Sequence, residues 1–310
     1  MTAALDISVI IPCYNIASYI ERAVWSVLNQ AGVSVEVIVI NDNSTDDTLA
    51  VVSRIDDPRV KIIASAQNDG PGASRNKGIA AASGKWIAIV DGDDVIAPDR
   101  FARMLKIAET GRADMVVDNQ TVYREADGYK FPMFPVEKFA NLGCLDLPTL
   151  MRGKISFLKG HPVSYVKPLI ASAFIKKHSI SYHEDIWIGE DYLFLAELLA
   201  SGAVCLIDPS LGYQYTIRKG SVSYRMTTQD VDTMLAYESK FEAKYLFDSD
   251  AARAQKYRLF KMREMRAYIA MVESLKKKDM ASAVKQALAF PSAVLLFWEP
   301  VWVRLKKLFG

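Results

Sequence analysis

Val35-Glu-Val-Ile-Val-Ile-Asn-Asp-Asn-Ser-Thr45 holds the fold in miniature. Its β-branched run over residues 35–40 suits a parallel strand buried on both faces. The polar cluster from Asn41 to Thr45 then turns the chain into a helix over 46–55. The same unit recurs on either side. Residues 6–11 are an apolar run stopped by Pro12, and Ser18-Tyr-Ile-Glu21 reads as a capping box. Behind it, Ile20, Ala23, Val24, Val27 and Leu28 repeat at helical spacing. Further strands are predicted over 60–65, 85–90 and 114–118, with helices over 72–82 and from about Pro98. Repeated β-α units of this length imply an α/β fold, a mostly parallel sheet flanked by helices.

In such sheets ligands sit beyond the carboxyl ends of the strands. The polar clusters fall there: Tyr14-Asn15, Asp42-Asn43, residues 68–72 and Asp91-Gly-Asp-Asp94. Residues 119–185 carry mixed strand signals with several Pro and Gly. Residues 190–201 predict a helix with Phe194, Leu195, Leu198 and Leu199 on one face, 213–224 are extended or looped, and from Gln229 the pattern is helical. The expected organisation is a domain over 1–225, with halves 1–118 and 119–225, and a helical C-terminal extension over 226–310.

Across 310 residues, 38 Lys+Arg nearly balance 36 Asp+Glu, so global charge gives no sign of a nucleic-acid partner. The balance is uneven, however. Residues 251–310 hold 13 Lys+Arg against 4 Asp+Glu, a basic tail on an acidic body. Cys13, Cys144 and Cys205 are odd in number and far apart, which argues against a disulfide scaffold or a structural zinc site and fits a reducing cytoplasm. No basic leader precedes the first strand, and the apolar stretch 287–303 is interrupted by Pro291, Glu299 and Pro300. A soluble or peripheral protein is expected.

Three motifs carry chemistry. Asp91-Gly-Asp-Asp94 sets carboxylates after a buried strand, as hard divalent cations require; the alternative is a solvated acidic turn capping the next helix. Asn68-Asp-Gly-Pro-Gly-Ala-Ser-Arg75 is a glycine-rich turn into a helix bearing an arginine, which suits a diphosphate, or else an ordinary β-α turn. Gly189-Glu-Asp191 opens an apolar helix, where a carboxylate serves as a general base or merely complements the helix dipole. The turn after the first strand, Pro12-Cys-Tyr-Asn15, has no dinucleotide fingerprint or Walker loop.

Together these blocks resemble the family-2 glycosyltransferases of the GT-A fold, similar to bacterial exopolysaccharide transferases of the succinoglycan type. The matching text is Ile7-Ser-Val-Ile-Ile-Pro-Cys-Tyr-Asn15, Glu36 to Asp46, Asn68 to Gly78, Val90-Asp-Gly-Asp-Asp94 and Gly189-Glu-Asp-Tyr-Leu-Phe194. The resemblance implies a Rossmann-like sheet and a UDP-sugar donor. It also implies a polyprenyl-linked oligosaccharide acceptor and inverting transfer of one sugar, with UDP-glucose the default donor. By position, Pro12, Tyr14, Asn15 and Asp42 would line the nucleobase pocket. Asn68, Gly70 and Arg75 would lie near the ribose and diphosphate, with Gly92 in the donor loop. Asp91 would meet the ribose or the metal, Asp93 would hold Mn2+ or Mg2+, and Arg218, with Tyr215 and Ser221, would fold over the donor. Asp191 would be the base and Glu190 an acceptor contact.

Two features differ from the family pattern: Asn41 stands where a first aspartate is common, and Gln214-Tyr-Thr-Ile-Arg218 only approximates the QxxRW block of processive synthases. The tail interleaves Phe297-Trp298, Val301-Trp302-Val303 and Leu308-Phe309 with Arg304, Lys306 and Lys307. It reads either as an interfacial helix on an anionic membrane, at the cytoplasmic face, or as a docked helix whose apolar face is core. Rival functions are a non-catalytic nucleotide-sugar-binding or membrane scaffold and a sugar-1-phosphate nucleotidyltransferase.

Overall fold

The computed structural model describes residues 5–153, 162–218 and 226–298. Its strands are β1 (Ile7–Cys13), β2 (Val35–Asn41), β3 (Val60–Ala64), β4 (Trp86–Ile89), β5 (Val95–Ile96), β6 (Met115–Arg124), β7 (Tyr129–Pro132), β8 (Leu169–Ala171) and β9 (Cys205–Ile217). The helices are α1 (Ile20–Leu28), α2 (Thr48–Val52), α3 (Gly70–Ala81), α4 (Arg100–Gly111), α5 (Val136–Ala140), α6 (Leu147–Arg152), α7 (Ser172–His178), α8 (Glu190–Ala200), α9 (Thr228–Lys244), α10 (Ser249–Lys276), α11 (Met280–Ala289) and α12 (Pro291–Val294). The chain divides into two compact units, Met1–Asp146 with Tyr165–Ser221, and Leu147–Ser164 with Val222–Gly310. The boundary expected at 225 lies outside the described residues, and α6 groups with the C-terminal helices.

The first unit is the α/β fold. Among the described residues nine strands form one sheet in the order β3-β2-β1-β4-β8-β6-β9-β5, with β7 on the edge of β6. Strands β3, β2, β1 and β4 run parallel, with Ile7 opposite both Val35 and Trp86. Short β8 enters antiparallel between β4 and β6, and β6 pairs parallel with β9. Every residue of β2 is buried, as its β-branched run requires. Its alternate residues Val35, Val37 and Val39 join Val9, Ile11, Ile20, Val24, Phe101 and Met104 in the core cluster.

Helix α1 begins later than the capping box implies. Tyr19 occupies the cap position with no side-chain cap, and Ser18 sits in the preceding turn. The amides of Ile16 and Ala17 donate instead to Thr48 Oγ1 (2.8 Å) and Asp46 Oδ2 (3.1 Å). A long-range loop contact has displaced the local cap.

At the amino ends of the strands, buried Glu36 organises a polar knot. Its Oε1 accepts from Ser8 Oγ (2.6 Å), Ser83 N (2.9 Å) and Ser83 Oγ (2.7 Å), and Oε2 accepts from Lys61 Nζ (2.6 Å). Burial pushes this carboxyl up, but Lys61, Ser8 and Ser83 together outweigh it and hold it at about 2, against an ordinary 4.5. The folded value lies below the ordinary one, so the contribution is complete above about pH 4.5 and is lost as pH falls through about 2. We expect Glu36→Leu to lower stability by about 2–3 kcal/mol at neutral pH, a Tm drop of roughly 5–10 °C. Scanning calorimetry should show the difference from wild type shrinking below about pH 4. An unchanged Tm at neutral pH would refute it.

In the second unit α9 opens with a capping box between Thr227 and Asp230. Buried Glu238 accepts from Arg258 Nε (2.6 Å) and Gln255 Nε2 (2.9 Å), joining α9 to α10. Half-buried Phe297 packs against Tyr268, with ring centroids 4.9 Å apart. The expected interfacial residues from Val301 to Phe309 lie outside the described residues, as does Ser221.

Candidate active site

The loops at the carboxyl ends of β1 and β2 lock together. Asn15 and Asn43 both adopt left-handed backbone, which asparagine tolerates better than most residues. Asn15 Oδ1 accepts from the amides of Thr45 (2.7 Å) and Asp46 (3.3 Å), while its own amide donates to Ser44 Oγ (3.1 Å). Pro12 lies within β1 opposite Ile40, and the ring of Tyr14 is exposed.

Asp42 is buried, and both its oxygens face the next loop. Oδ1 accepts from Asp69 N (3.1 Å) and Oδ2 from Gly70 N (2.8 Å), an amide also close to Asn68 Oδ1 (3.2 Å). Two amides at the start of α3, in the loop read as suiting a diphosphate or as an ordinary β-α turn, thus donate to the chain's own carboxylate. Gly70 has φ +88°, and a Cβ there would stand 3.0 Å from the indole of Trp187.

From the second turn of α3, buried Arg75 reaches three carboxylates. Nη1 lies 2.5 Å from Glu190 Oε1 and 3.5 Å from Asp191 Oδ1, and Nη2 lies 3.2 Å from Asp91 Oδ1. Its guanidinium also covers the Tyr182 ring at 5.2 Å. A second cation completes the array. Lys167 Nζ lies 2.8 Å from Asp91 Oδ2 and 3.0 Å from Asp191 Oδ2. Burial alone would raise the Asp91 carboxyl, but Lys167 and Arg75 outweigh it and hold it at about 2, ionised. Burial and the charge of Asp191 push Glu190 up against the pull of Arg75. Burial disfavours the charge on both cations, yet Asp191 with Glu190 keeps Arg75, and Asp191 with Asp91 keeps Lys167, firmly protonated.

The acidic turn divides its labour. Asp94 is fully buried and structural: Oδ2 accepts from Tyr213 Oη (2.7 Å) and Oδ1 from Thr216 N (2.7 Å). Tyr213 Oη in turn accepts from Asp91 N (3.0 Å), which ties the turn to β9. Asp93 points its Oδ2 at Arg218 Nε, 2.5 Å away. Burial and the charge of Asp91 push the Asp93 carboxyl up, against Arg218. A Cβ on Gly92 would stand 2.3 Å from Ile16 Cδ1 and 3.2 Å from Pro12 O, so a larger residue here would push the Ile16 side chain aside.

Arg75, Asp91, Glu190 and Asp191 therefore meet directly, Asp93 meets Arg218, and Asp42 meets the loop of Asn68 and Gly70. Tyr14 and Asn15 lie on the neighbouring loop, and Pro12 near the end of β1 that leads into it. Among the described residues no three His, Cys, Asp or Glu side chains converge as a metal cage. Sequence reasoning missed Lys167, Tyr182 and the stitching role of Asp94. A lysine enclosed by Val166, Pro168, Leu169 and Ile170 was a usable signal, since lysine is rarely buried unless paired. Its place is fixed by Arg100, which donates to Lys167 O (2.5 Å) and to both oxygens of Asp118 (2.7 and 2.8 Å) in a fully buried pair.

Comparisons with known proteins agree with this architecture. The family described as Glycosyl transferase family 2 matches residues 8–161. The chain is 41% identical over 303 residues to Succinoglycan biosynthesis protein ExoO of Rhizobium meliloti (strain 1021), covering 98% of this chain and 87% of that protein. ExoU of the same organism, also a succinoglycan biosynthesis protein, is 31% identical over 301 residues, covering 95% and 86%. Among solved structures, S. aureus TarS residues 1–349 with UDP-GlcNAc superposes with a TM-score of 0.68 at 17% identity, covering 93% of this chain and 92% of that one. The mannosyltransferase PcManGT from Pyrobaculum calidifontis, with GDP-Man and Mn2+, gives 0.63 at 15% identity, covering 98% and 81%. Both share the GT-A fold.

Proposed function

The chain belongs to glycosyl transferase family 2, and from that premise we propose inverting, metal-dependent transfer of a single glucose from UDP-glucose to a polyprenyl-linked saccharide. The observation that carries this reading is the pair of cations, Arg75 and Lys167, joining Asp91 to Asp191 beyond the carboxyl ends of the sheet. A donor-side and an acceptor-side carboxylate thereby share one electrostatic centre. Relatives named for succinoglycan biosynthesis support a surface polysaccharide as the product. A lipid-borne acceptor puts the work at the cytoplasmic face of a membrane. Family membership replaces the nucleotidyltransferase and scaffold alternatives.

In the proposed step the acceptor hydroxyl oxygen bonds to the anomeric carbon as the bond from that carbon to the diphosphate oxygen breaks. The hydroxyl proton passes to an Asp191 oxygen, and the bonding pair leaves on the diphosphate. One base and no enzyme nucleophile give inversion. Asp191 suits this better than Glu190: its side chain is 24% exposed against 11%, and Glu190 is gripped by Arg75 at 2.5 Å. Arg75, Lys167 and Arg218 oppose the charge gathering on the leaving group. Pro12, Tyr14, Asn15 and Asp42 would frame the nucleobase, with the exposed Tyr14 ring offering a stacking face.

The donor set fits a hard divalent cation. Asp93 is a mostly buried carboxylate whose ionisation is resisted by burial and by Asp91, and it already draws a cationic partner, Arg218. Asp93, with Asp91 beside it, would hold Mn2+ or Mg2+ together with substrate phosphates. When bound, the ion would neutralise diphosphate charge.

A thermal-shift panel of UDP and GDP, each with Mn2+ or with EDTA, tests the reading on wild type and Asp93→Ala. UDP at roughly a hundred times its Kd should stabilise the wild type by about 2.7 kcal/mol. The shift should need Mn2+ and vanish in the variant. A shift with GDP alone would overturn the uridine assignment, and none with either nucleotide would overturn the proposal.

A further inference from the structure

Helix α11 is built inside out for a protein surrounded by water. Ala283 is buried, and half-buried Ala287 packs with Phe290 against the cluster of Ala267, Met271 and Ala293. The large aliphatic side chains turn away from it. Met280, Val284 and Leu288, spaced every four residues on one stripe, are 60%, 52% and 76% exposed. Leu295, beyond the bend at Pro291, is 67% exposed, and Val294 and Leu275 are exposed too. An aqueous surface helix selects the reverse order, with large apolar groups inside.

Charge identifies what the stripe meets. Between residues 275 and 298 the exposed lysines Lys276, Lys277, Lys278 and Lys285 face a single acid, Asp279. That acid is engaged locally, accepting from the amide of Ser282 at 3.0 Å to cap α11. Among the described residues no single helix is long and apolar enough to cross a membrane. Residues Met280–Ala289 and Pro291–Phe297 reach that length and composition only together, and they are bent by 119°. Such a pair can lie on a bilayer rather than span it.

We propose that α11 and Pro291–Phe297 form a monotopic docking surface for an anionic lipid bilayer. Met280, Val284, Leu288 and Leu295 enter the acyl boundary while the lysines contact the headgroups. A second copy of the chain is a poorer occupant, because a self-complementary contact on this face would bring two lysine clusters together. The surface stands independently of the donor reading, since lipid binding needs no nucleotide.

Vesicle co-sedimentation of the full chain tests it, with phosphatidylcholine alone or with about one-third phosphatidylglycerol. Wild type should pellet with the anionic vesicles and be released by salt. The outward pair Val284→Gln/Leu288→Gln should weaken binding at least tenfold, with circular dichroism and Tm preserved. Each Lys→Gln change at 276–278 should cost up to about fivefold. Three results would overturn the proposal. The Gln pair could bind like wild type while Trp302→Ser/Phe309→Ser releases the protein, which assigns the membrane to the tail. Equal binding to neutral vesicles would remove the electrostatic part. Failure to bind either vesicle, with a concentration-dependent dimer abolished by the Gln pair, would assign the face to a second copy.

Discussion

Asp191→Asn is expected to abolish sugar transfer while leaving the donor site intact. The substitution is isosteric, and its surroundings keep partners: Lys167 still reaches Asp91 at 2.8 Å, and Arg75 still reaches Glu190 at 2.5 Å. Folding should therefore be preserved, with Tm within a few degrees of wild type. What disappears is the carboxylate proposed as the base, a quarter exposed and paired with both Arg75 and Lys167. General-base catalysis contributes about 10²- to 10⁴-fold, so kcat should fall by roughly a thousandfold. The UDP-dependent thermal shift should persist undiminished. That separation matters because a merely structural carboxylate would move Tm and nucleotide affinity together. Glu190→Gln is the internal comparison. It removes the closest partner of Arg75, so it should raise KM for the acceptor and loosen the array, with a smaller loss in kcat. If Asp191→Asn keeps more than about a tenth of wild-type kcat, the base lies elsewhere.

The parallel half of the sheet was legible because local sequence dictates it. Residues buried on both faces must be apolar throughout, and β2 is buried at every position, so its run could be nothing else. The polar residues closing each strand were legible for the same reason, since a change from apolar to polar marks where the chain leaves the sheet. Beyond residue 118 that logic fails. Strand β8 is three residues, too short to establish a period, and is held by β4 and β6, far away in the chain. Strand β6 runs on to Arg124 because β9 pairs with it to the end, which nothing local announces. The same distinction separates the site residues. Asp91, Asp93 and Asp191 sit in motifs readable from a few neighbours. Lys167 gains meaning only from partners 76 and 24 residues away, and its backbone is held by Arg100, 67 residues away. Asp42 stands in a readable polar cluster, but the partners of its two oxygens are amides 27 and 28 residues on.

Lys167 therefore carries the second large expected effect. It is 7% exposed at its side chain, and its ammonium is the only group bonded to both Asp91 Oδ2 and Asp191 Oδ2 among the described residues. Replacing it with Met keeps the aliphatic stem and removes the charge. Two consequences pull in different directions on stability. Two carboxylates lose a cation at 2.8 and 3.0 Å, yet the cost of burying that cation is also relieved. Breaking one member of a buried pair usually costs about 3–5 kcal/mol. Here both carboxylates are about a quarter exposed and Arg75 still bridges them, so about 2 kcal/mol is the better expectation. On function the consequences agree. A charge-assisted interaction is worth about 1.5–3 kcal/mol, so removing the cation proposed to oppose the diphosphate charge should weaken UDP binding by roughly 10- to 100-fold. The repulsion left between Asp91 and Asp191 should misplace the base and lower kcat as well. Lys167→Gln, which keeps a donor but no charge, should fall between wild type and Met in affinity. Calorimetric titration with UDP, beside a melting curve for each variant, separates these terms. A lowered Tm with unchanged UDP affinity in both variants would reduce Lys167 to a purely structural cation. A graded loss of affinity across Gln and Met would make its charge part of the donor site.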